Sequence, residues 1–385
     1  MFDKRIKEKL KWQQNTGLYR QPVNVIKRNG KYILTNYGNL LNFASNDYLG
    51  LGSSEVLREK VANNFMKYGS SSSSSRLVSG NFNAITEAEQ AYANYFGYES
   101  ALFFPSGYQA NIGLISALFE KRDTLIFDKH IHASLLKGIQ LSGASLLGFN
   151  HNRMKHLEKR IISSKTKTIA VVSESLFSMD GDFLCVQDLL ALKKKYNFFT
   201  IIDEAHAFGV LGTKGQGIAR EVADIAVGTF GKAFGLFGAM VLLSQSYRDF
   251  LLNFSSPQIY TTTLPEAHGA SALDALHLIE KSNDKRDYLL QISKFARSYF
   301  SREGFKVRGD AHIVALEIGN EDISLMLSRK LLEKNFFVFP ARFPTVPMGK
   351  AILRIGLTSL HDEKDIINLS KALKESYAEI EKNNA

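Results

Sequence analysis

The stretch Thr229-Phe230-Gly231-Lys232-Ala233-Phe234-Gly235 follows a short apolar run, Asp224–Val227, that reads as a strand. A lysine just past the end of a buried strand is out of place unless it is bonded or paired, because an ammonium stranded in a dry site is costly. Lys232 therefore either snorkels to a surface or serves as a bonded amine. The other strand ends decide between these.

Around that stretch the chain alternates. Helical periodicity covers Ile85–Phe96, Tyr108–Leu118, Met154–Ile162 and Val186–Tyr196. Short β-rich runs lie between and after them: Ser100–Phe104, Thr124–Phe127, Thr168–Val172, Phe198–Ile202, Asp224–Val227 and Gly238–Leu243. Strands alternating with helices predict an α/β fold with a mostly parallel central sheet covered on both faces. The expected division is an N-terminal segment over 1–45, a large domain over 46–283 and a smaller α+β domain over 284–385. The last is expected to hold strands at Ile313–Ile318, Phe336–Phe339 and Ala351–Leu357. The opening residues read as a basic amphipathic helix, Asp3–Gln14, with short strands at Asn24–Lys27 and Tyr32–Thr35. The six serines Ser70–Ser75 read as an irregular loop inside one domain.

With 385 residues the chain can bury a large core. Its net charge of +10 raises the question of an anionic partner. The basic residues are dispersed and never interleave with aromatics in a block, so they describe a lysine-rich surface; no nucleic-acid partner is expected. One cysteine, Cys185, excludes an internal disulfide. No signal-like or membrane-length apolar run is present, which places the expected location in the cytoplasm, off the membrane.

In an open α/β sheet, ligands bind outside the carboxyl ends of the strands. After Ser100–Phe104 comes Ser106-Gly107-Tyr108 at a helix start, a place suited to phosphate. After Thr124–Phe127 come Asp128, His130 and His132. A metal site is not expected there, because no third ligand completes the pair, and an imidazole stacked on a flat ligand fits better. Glu174 and Ser178 follow the next strand, and Asp203-Glu204-Ala205-His206 the one after. Asp-Glu-Ala-His in a basic chain suggests a helicase, but no Gly-Lys pair (Lys31, Lys232, Lys350) has the spacing of a phosphate loop. No dinucleotide fingerprint follows a strand. A phosphate cradle, a stacking histidine, an aspartate and an amine together fit pyridoxal phosphate.

These segments resemble the α-oxoamine synthases, fold-type I pyridoxal phosphate enzymes, over nearly the whole chain. The resemblance rests on SNDYLGL (Ser45–Leu51), SRLVSG (Ser75–Gly80), PSGYQAN (Pro105–Asn111), HASLL (His132–Leu136), FSMDGD (Phe177–Asp182), DEAHAFG (Asp203–Gly209), TFGKAFG (Thr229–Gly235) and PTVPMG (Pro344–Gly349). It implies that Lys232 carries the cofactor as a Schiff base and then moves the substrate Cα proton. Asp203 would pair with the pyridine nitrogen, His206 and Ser178 would bond the phenolic oxygen, and His132 would stack on the ring. Gly107, Tyr108 and Thr229 would surround the cofactor. Thr261 and Thr262 would reach the phosphate of a partner subunit, which implies a homodimer. Arg354, assisted by Asn46, would grip the amino-acid carboxylate, with Arg20 and Thr345 near the acyl donor.

The compact length and Arg342–Pro347 resemble the biotin-pathway members most, which implies condensation of L-alanine with a pimeloyl thioester to 8-amino-7-oxononanoate. A glycine C-acetyltransferase or 5-aminolevulinate synthase activity is the alternative within the family. A catalytically silent anion-binding protein of the same fold is the alternative outside catalysis. The chain departs from the family at the serine run, where glycines are usual, and at Ile85, where a histidine is usual.

Overall fold

The computed structural model describes residues 2–384. Near-continuous apolar runs such as IAVVSE (Ile169–Glu174) form strands buried along almost their whole length, as a sheet covered on both faces requires. Seven strands build one sheet within the unit made of Ser54–Phe177 and Phe183–Arg286. They are β1 (Ser100–Phe104), β2 (Thr124–Asp128), β3 (Ser145–Phe149), β4 (Ile169–Glu174), β5 (Phe199–Asp203), β6 (Ile225–Thr229) and β7 (Ala239–Leu243). Their spatial order is β1-β7-β6-β5-β4-β2-β3. Pairing from β3 through β6 is parallel. Strand β7 runs antiparallel to both β1 and β6. The link from Thr229 to Ala239 is too short for the crossover that a parallel neighbour would need.

Register aligns the strand ends. Glu174 lies opposite Asp203, and Asp203 opposite Val227, so β4, β5 and β6 finish side by side. The core beneath them joins Leu102, Phe104, Val172, Ile201, Val227 and Val241 with Leu114 and Ile115. The latter two lie on the helix Gly107–Leu118. That helix packs against Ala133–Ser142, so tightly that a Cβ on Gly138 would fall 2.7 Å from the Asn111 carbonyl oxygen. Only glycine permits this approach. Neither Ala133–Ser142 nor β3 has a clear signature in the sequence. Strand β3 is an edge strand with mostly exposed or half-buried residues and a glycine, Gly148.

The serine run is irregular, as expected. Ser72 is buried and donates to the Thr263 carbonyl at 2.8 Å, and the Thr263 N–H donates to the Ser74 carbonyl at 3.0 Å. Beyond it lies a buried ion cluster. Glu89 accepts from Arg76, from Arg248 at 3.1 Å and from the Phe103 N–H at 2.7 Å.

The second unit gathers the chain through Ser53, the segment Ser178–Asp182 and the chain from Asp287. One of its sheets is antiparallel: Val307–Arg308, Ile313–Gly319, Ala351–Gly356 and Phe339–Ala341, in that order. The other joins Val25–Asn29, Tyr32–Thr35 and Gly38–Asn42 to Phe336–Phe337. The single strand expected over Phe336–Phe339 is thus two. Phe336–Phe337 pairs with Leu41–Asn42, Phe339–Ala341 pairs with Ile352–Arg354, and buried Val338 sits between them. The basic N-terminal helix spans Phe2–Asn15 and buries none of its residues. Among the described residues no helix is long and apolar enough to cross a membrane.

Candidate active site

Asp203 ends β5, 7% exposed, and each of its oxygens has a donor. Asn111 Nδ2 donates to Oδ2 and the Ala205 N–H to Oδ1, both at 2.9 Å. Asn111 also donates to Ser134 Oγ at 2.9 Å. Ser134 lies 2.7 Å from His132 Nδ1, and the His132 N–H donates to buried Glu174. A chain of contacts therefore runs from the aspartate through an amide and a hydroxyl to the imidazole. His132 caps the helix Ala133–Ser142 through its Nδ1, which accepts from the Ser134 N–H at 3.3 Å.

Lys232 follows β6 in a turn tied by three backbone bonds: Phe230 N–H to Gly238 O, Leu236 N–H to Phe230 O, and Gly235 N–H to Lys232 O. Phe230 and Phe234 are fully buried anchors on either side of it. The lysine Nζ stands 2.8 Å from His206 Nε2, in the turn after Asp203. Thr229 donates to the Gly238 carbonyl at 3.0 Å and accepts from the Gly231 N–H at 3.2 Å. The helix Gly107–Leu118 begins nearby: the Thr229 Cβ would lie 3.9 Å from a Cβ on Gly107. Ser106 caps this helix by accepting from the Gln109 N–H at 3.2 Å, leaving the first amides at the positive end of the dipole. Amine, carboxylate, imidazole and helix N-terminus are thus brought together on one sheet edge. Thr261 and Thr262 lie in the irregular segment between the helices Ser256–Ile259 and Glu266–Glu280.

In the second unit, Arg354 is 4% exposed on Ala351–Gly356. Its Nε donates to the Ser178 carbonyl at 2.6 Å and its Nη2 to Asn46 Oδ1 at 3.2 Å. Asn46 also accepts from the buried Tyr48 hydroxyl at 3.0 Å. The guanidinium is thereby held in one orientation. Arg20 donates to Thr345 Oγ1 at 3.4 Å, so the two residues expected near the acyl donor touch each other.

Desolvation lowers the pKa of His132, and Lys232 adds to this while Asp203 opposes it. The imidazole is accordingly neutral near pH 7, which suits stacking on a flat ring. Burial pushes the Glu204 carboxyl up to about 7, against hydrogen bonds from Ser175, Ala219 and Ile218. The Tyr48 hydroxyl is raised by burial, with Arg354 opposing.

The donor set fits pyridoxal phosphate on chemical grounds. It offers an amine for a Schiff base, a buried carboxylate for the pyridinium, a neutral imidazole for the ring and a helix N-terminus for the phosphate. The family model for aminotransferase class I and II matches residues 38–373. The chain belongs to this family. It is a fold-type I, pyridoxal-phosphate-dependent acyltransferase. A Bacillus mycoides protein provisionally named 8-amino-7-oxononanoate synthase is 35% identical over 374 residues, covering 95% of each chain. Among solved structures, Sphingomonas wittichii serine palmitoyltransferase superposes with a TM-score of 0.90 at 27% identity, covering 97% of this chain and 96% of that one. The 8-amino-7-oxononanoate synthase of Francisella tularensis gives 0.76 at 31%, covering 90% and 99%.

Four residues escaped assignment from the sequence. Asn111 and Ser134 connect Asp203 to His132, Glu174 accepts the His132 N–H, and Tyr48 steadies Asn46. All but Glu174 lie inside quoted motifs, which was the available signal. Glu174 showed itself only as an acid at a strand end.

Proposed function

We propose that this protein condenses L-alanine with a pimeloyl thioester to give 8-amino-7-oxononanoate, in the biotin pathway, as a cytoplasmic homodimer. The observation that carries this reading is the contact of Arg20 with Thr345 in a chain that matches 8-amino-7-oxononanoate synthases over nearly its full length. Pyridoxal phosphate, when bound, supplies the electron sink that makes the amino-acid Cα–H acidic. Lys232 takes that proton and later returns one. His206, 2.8 Å from its Nζ, orients the amine. Asp203, fixed by Asn111 and Ala205, would hold the protonated pyridine nitrogen, and His132 would supply the imidazole that stacks on the cofactor. Arg354 takes the alanine carboxylate in its planar fork. Thr261 and Thr262 serve the partner subunit's phosphate.

In the net reaction a bond forms between alanine Cα and the acyl carbon, and the C–S bond breaks to release the thiol. The alanine carboxyl leaves as carbon dioxide, and Cα is reprotonated. The test is product analysis by mass spectrometry with L-alanine plus pimeloyl-CoA, beside glycine plus acetyl-CoA and glycine plus succinyl-CoA. The reading expects 8-amino-7-oxononanoate from the first pair alone. Product only with glycine overturns the substrate and retains the Lys232 chemistry.

A further inference from the structure

The unit that carries Arg354 takes only Ser178–Asp182 from the middle of the chain, between Phe177 and Phe183 of the other unit. That segment lies against one row of the antiparallel sheet. Arg308 stands opposite Ala315, and Ala315 opposite Arg354, on Val307–Arg308, Ile313–Gly319 and Ala351–Gly356. Residues opposed across an antiparallel pair share a face. The two arginines therefore flank a small alanine on one side of the sheet, two strands and about 10 Å apart.

The segment matches this row residue by residue. The Ser178 carbonyl accepts from Arg354 Nε at 2.6 Å. Met179 packs on the apolar cluster of Ala315, Ala341, Val346 and Ile352. Asp180, 8% exposed, accepts from Arg308 Nη1 at 2.6 Å. The Gly181 carbonyl accepts from the Asp310 N–H at 2.8 Å. Gly181 has a φ of +72°, and a Cβ there would fall 2.3 Å from the Ile313 carbonyl oxygen, so this close approach requires glycine. Arg308 also pairs with Glu317 at 2.9 Å, which limits the rotation of its own guanidinium.

The consequence falls on Arg354. Its Nε is committed to Ser178 and its Nη2 to Asn46, so the direction of its fork depends on where the Ser178 carbonyl is held. Packing of Met179 is non-directional and tolerates sliding. The charge-assisted bond from Arg308 to Asp180 is directional and sets the position of the segment over the row. With Arg308 39% exposed, the pair contributes little to global stability, and its effect is local.

We propose that Arg308 is a positioning residue: through Asp180 it holds the Ser178 carbonyl, which in turn aims the Arg354 fork at a substrate carboxylate. The inference rests on the proposed reading of Arg354 as the carboxylate-binding group and deepens it. Arg308 acts through the segment alone and takes no part in the chemistry at Lys232.

The test compares L-alanine with L-alaninamide, which carries a carboxamide in place of the carboxylate, by equilibrium titration of the holo-protein without acyl donor. Wild type, Arg308→Gln, Asp180→Asn, Arg308→Lys and Arg354→Lys are measured, with a melting temperature for each. Wild type is expected to prefer L-alanine, and Arg354→Lys, which lacks the planar fork, to lose that preference. Arg308→Gln and Asp180→Asn are each expected to reduce it by about tenfold. In turnover, Arg308→Gln should raise the KM for L-alanine while kcat at saturating L-alanine stays within about twofold. Arg308→Lys keeps a cation for Asp180 and should recover most of the preference. An intact preference in folded Arg308→Gln and Asp180→Asn, with Arg354→Lys losing it, would overturn the inference and leave the carboxylate reading standing. The same would follow if the Arg308 and Asp180 variants lowered only the melting temperature. An intact preference in Arg354→Lys would overturn the carboxylate reading, and the inference with it.

Discussion

Replacing Asn111 by alanine removes a side chain that holds Asp203 and Ser134 together, each at 2.9 Å. The bond to the Asp203 carboxylate is charge-assisted, a type that contributes roughly 1.5–3 kcal/mol net, against about 1 kcal/mol for the neutral bond to Ser134. Asp203 keeps one holder, the Ala205 N–H. Loss of the first bond alone predicts pyridoxal phosphate binding weaker by roughly 10- to 100-fold. Fluorescence titration of the cofactor-free protein reads this directly, with circular dichroism as the check that the helix Gly107–Leu118 persists. Asn111→Asp should weaken binding further, because it sets a second carboxylate against Asp203. An affinity within about twofold of wild type in folded Asn111→Ala would refute the reasoning, since Asp203 would then be oriented without the amide.

Other substitutions test other parts of the account. Glu89→Ala strands Arg76, 5% exposed, beside Arg248 in the buried ion cluster, and is expected to cost about 3–5 kcal/mol, read as a large drop in melting temperature. Ser72→Ala removes the bond to the Thr263 carbonyl and should cost about 1 kcal/mol in urea unfolding. Glu204 has a raised folded-state pKa of about 7 against an ordinary 4.5, so its contribution to stability is full below 4.5 and is lost as pH rises toward 7. The loss amounts to about 3 kcal/mol, and a wild-type minus Glu204→Gln difference curve should show it. The subtraction cancels buried His268 and His361, each lowered to about 4, whose slopes run the opposite way.

Much of the fold was legible because strands buried on both faces carry their own signal. IAVVSE, FTIID and IAVGT need no partner to be read as strands, and the polar residues closing them mark the ligand edge. The short Thr229–Ala239 link carries the reversal of β7, which fits the mostly parallel sheet that helix–strand alternation implied. Edge strand β3 was not legible, because an exposed edge needs little apolar content. The break at Val338 was hidden too: nothing local says that Phe336–Phe337 pairs with the N-terminal segment while Phe339–Ala341 joins another sheet. In the site, Lys232, Asp203, His132 and His206 were visible as reactive groups at strand ends. Asn111 was not, because its task depends on two helices packing closely enough at Gly138 to aim an amide at Asp203.

The site is built around Lys232, and its most direct test is chemical. Borohydride reduction of the holo-protein followed by peptide mass mapping should find the phosphopyridoxyl mass on the peptide containing Lys232, and Lys232→Ala should abolish both that label and turnover while keeping the fold. A label on a different lysine, or turnover retained in Lys232→Ala, would contradict the account.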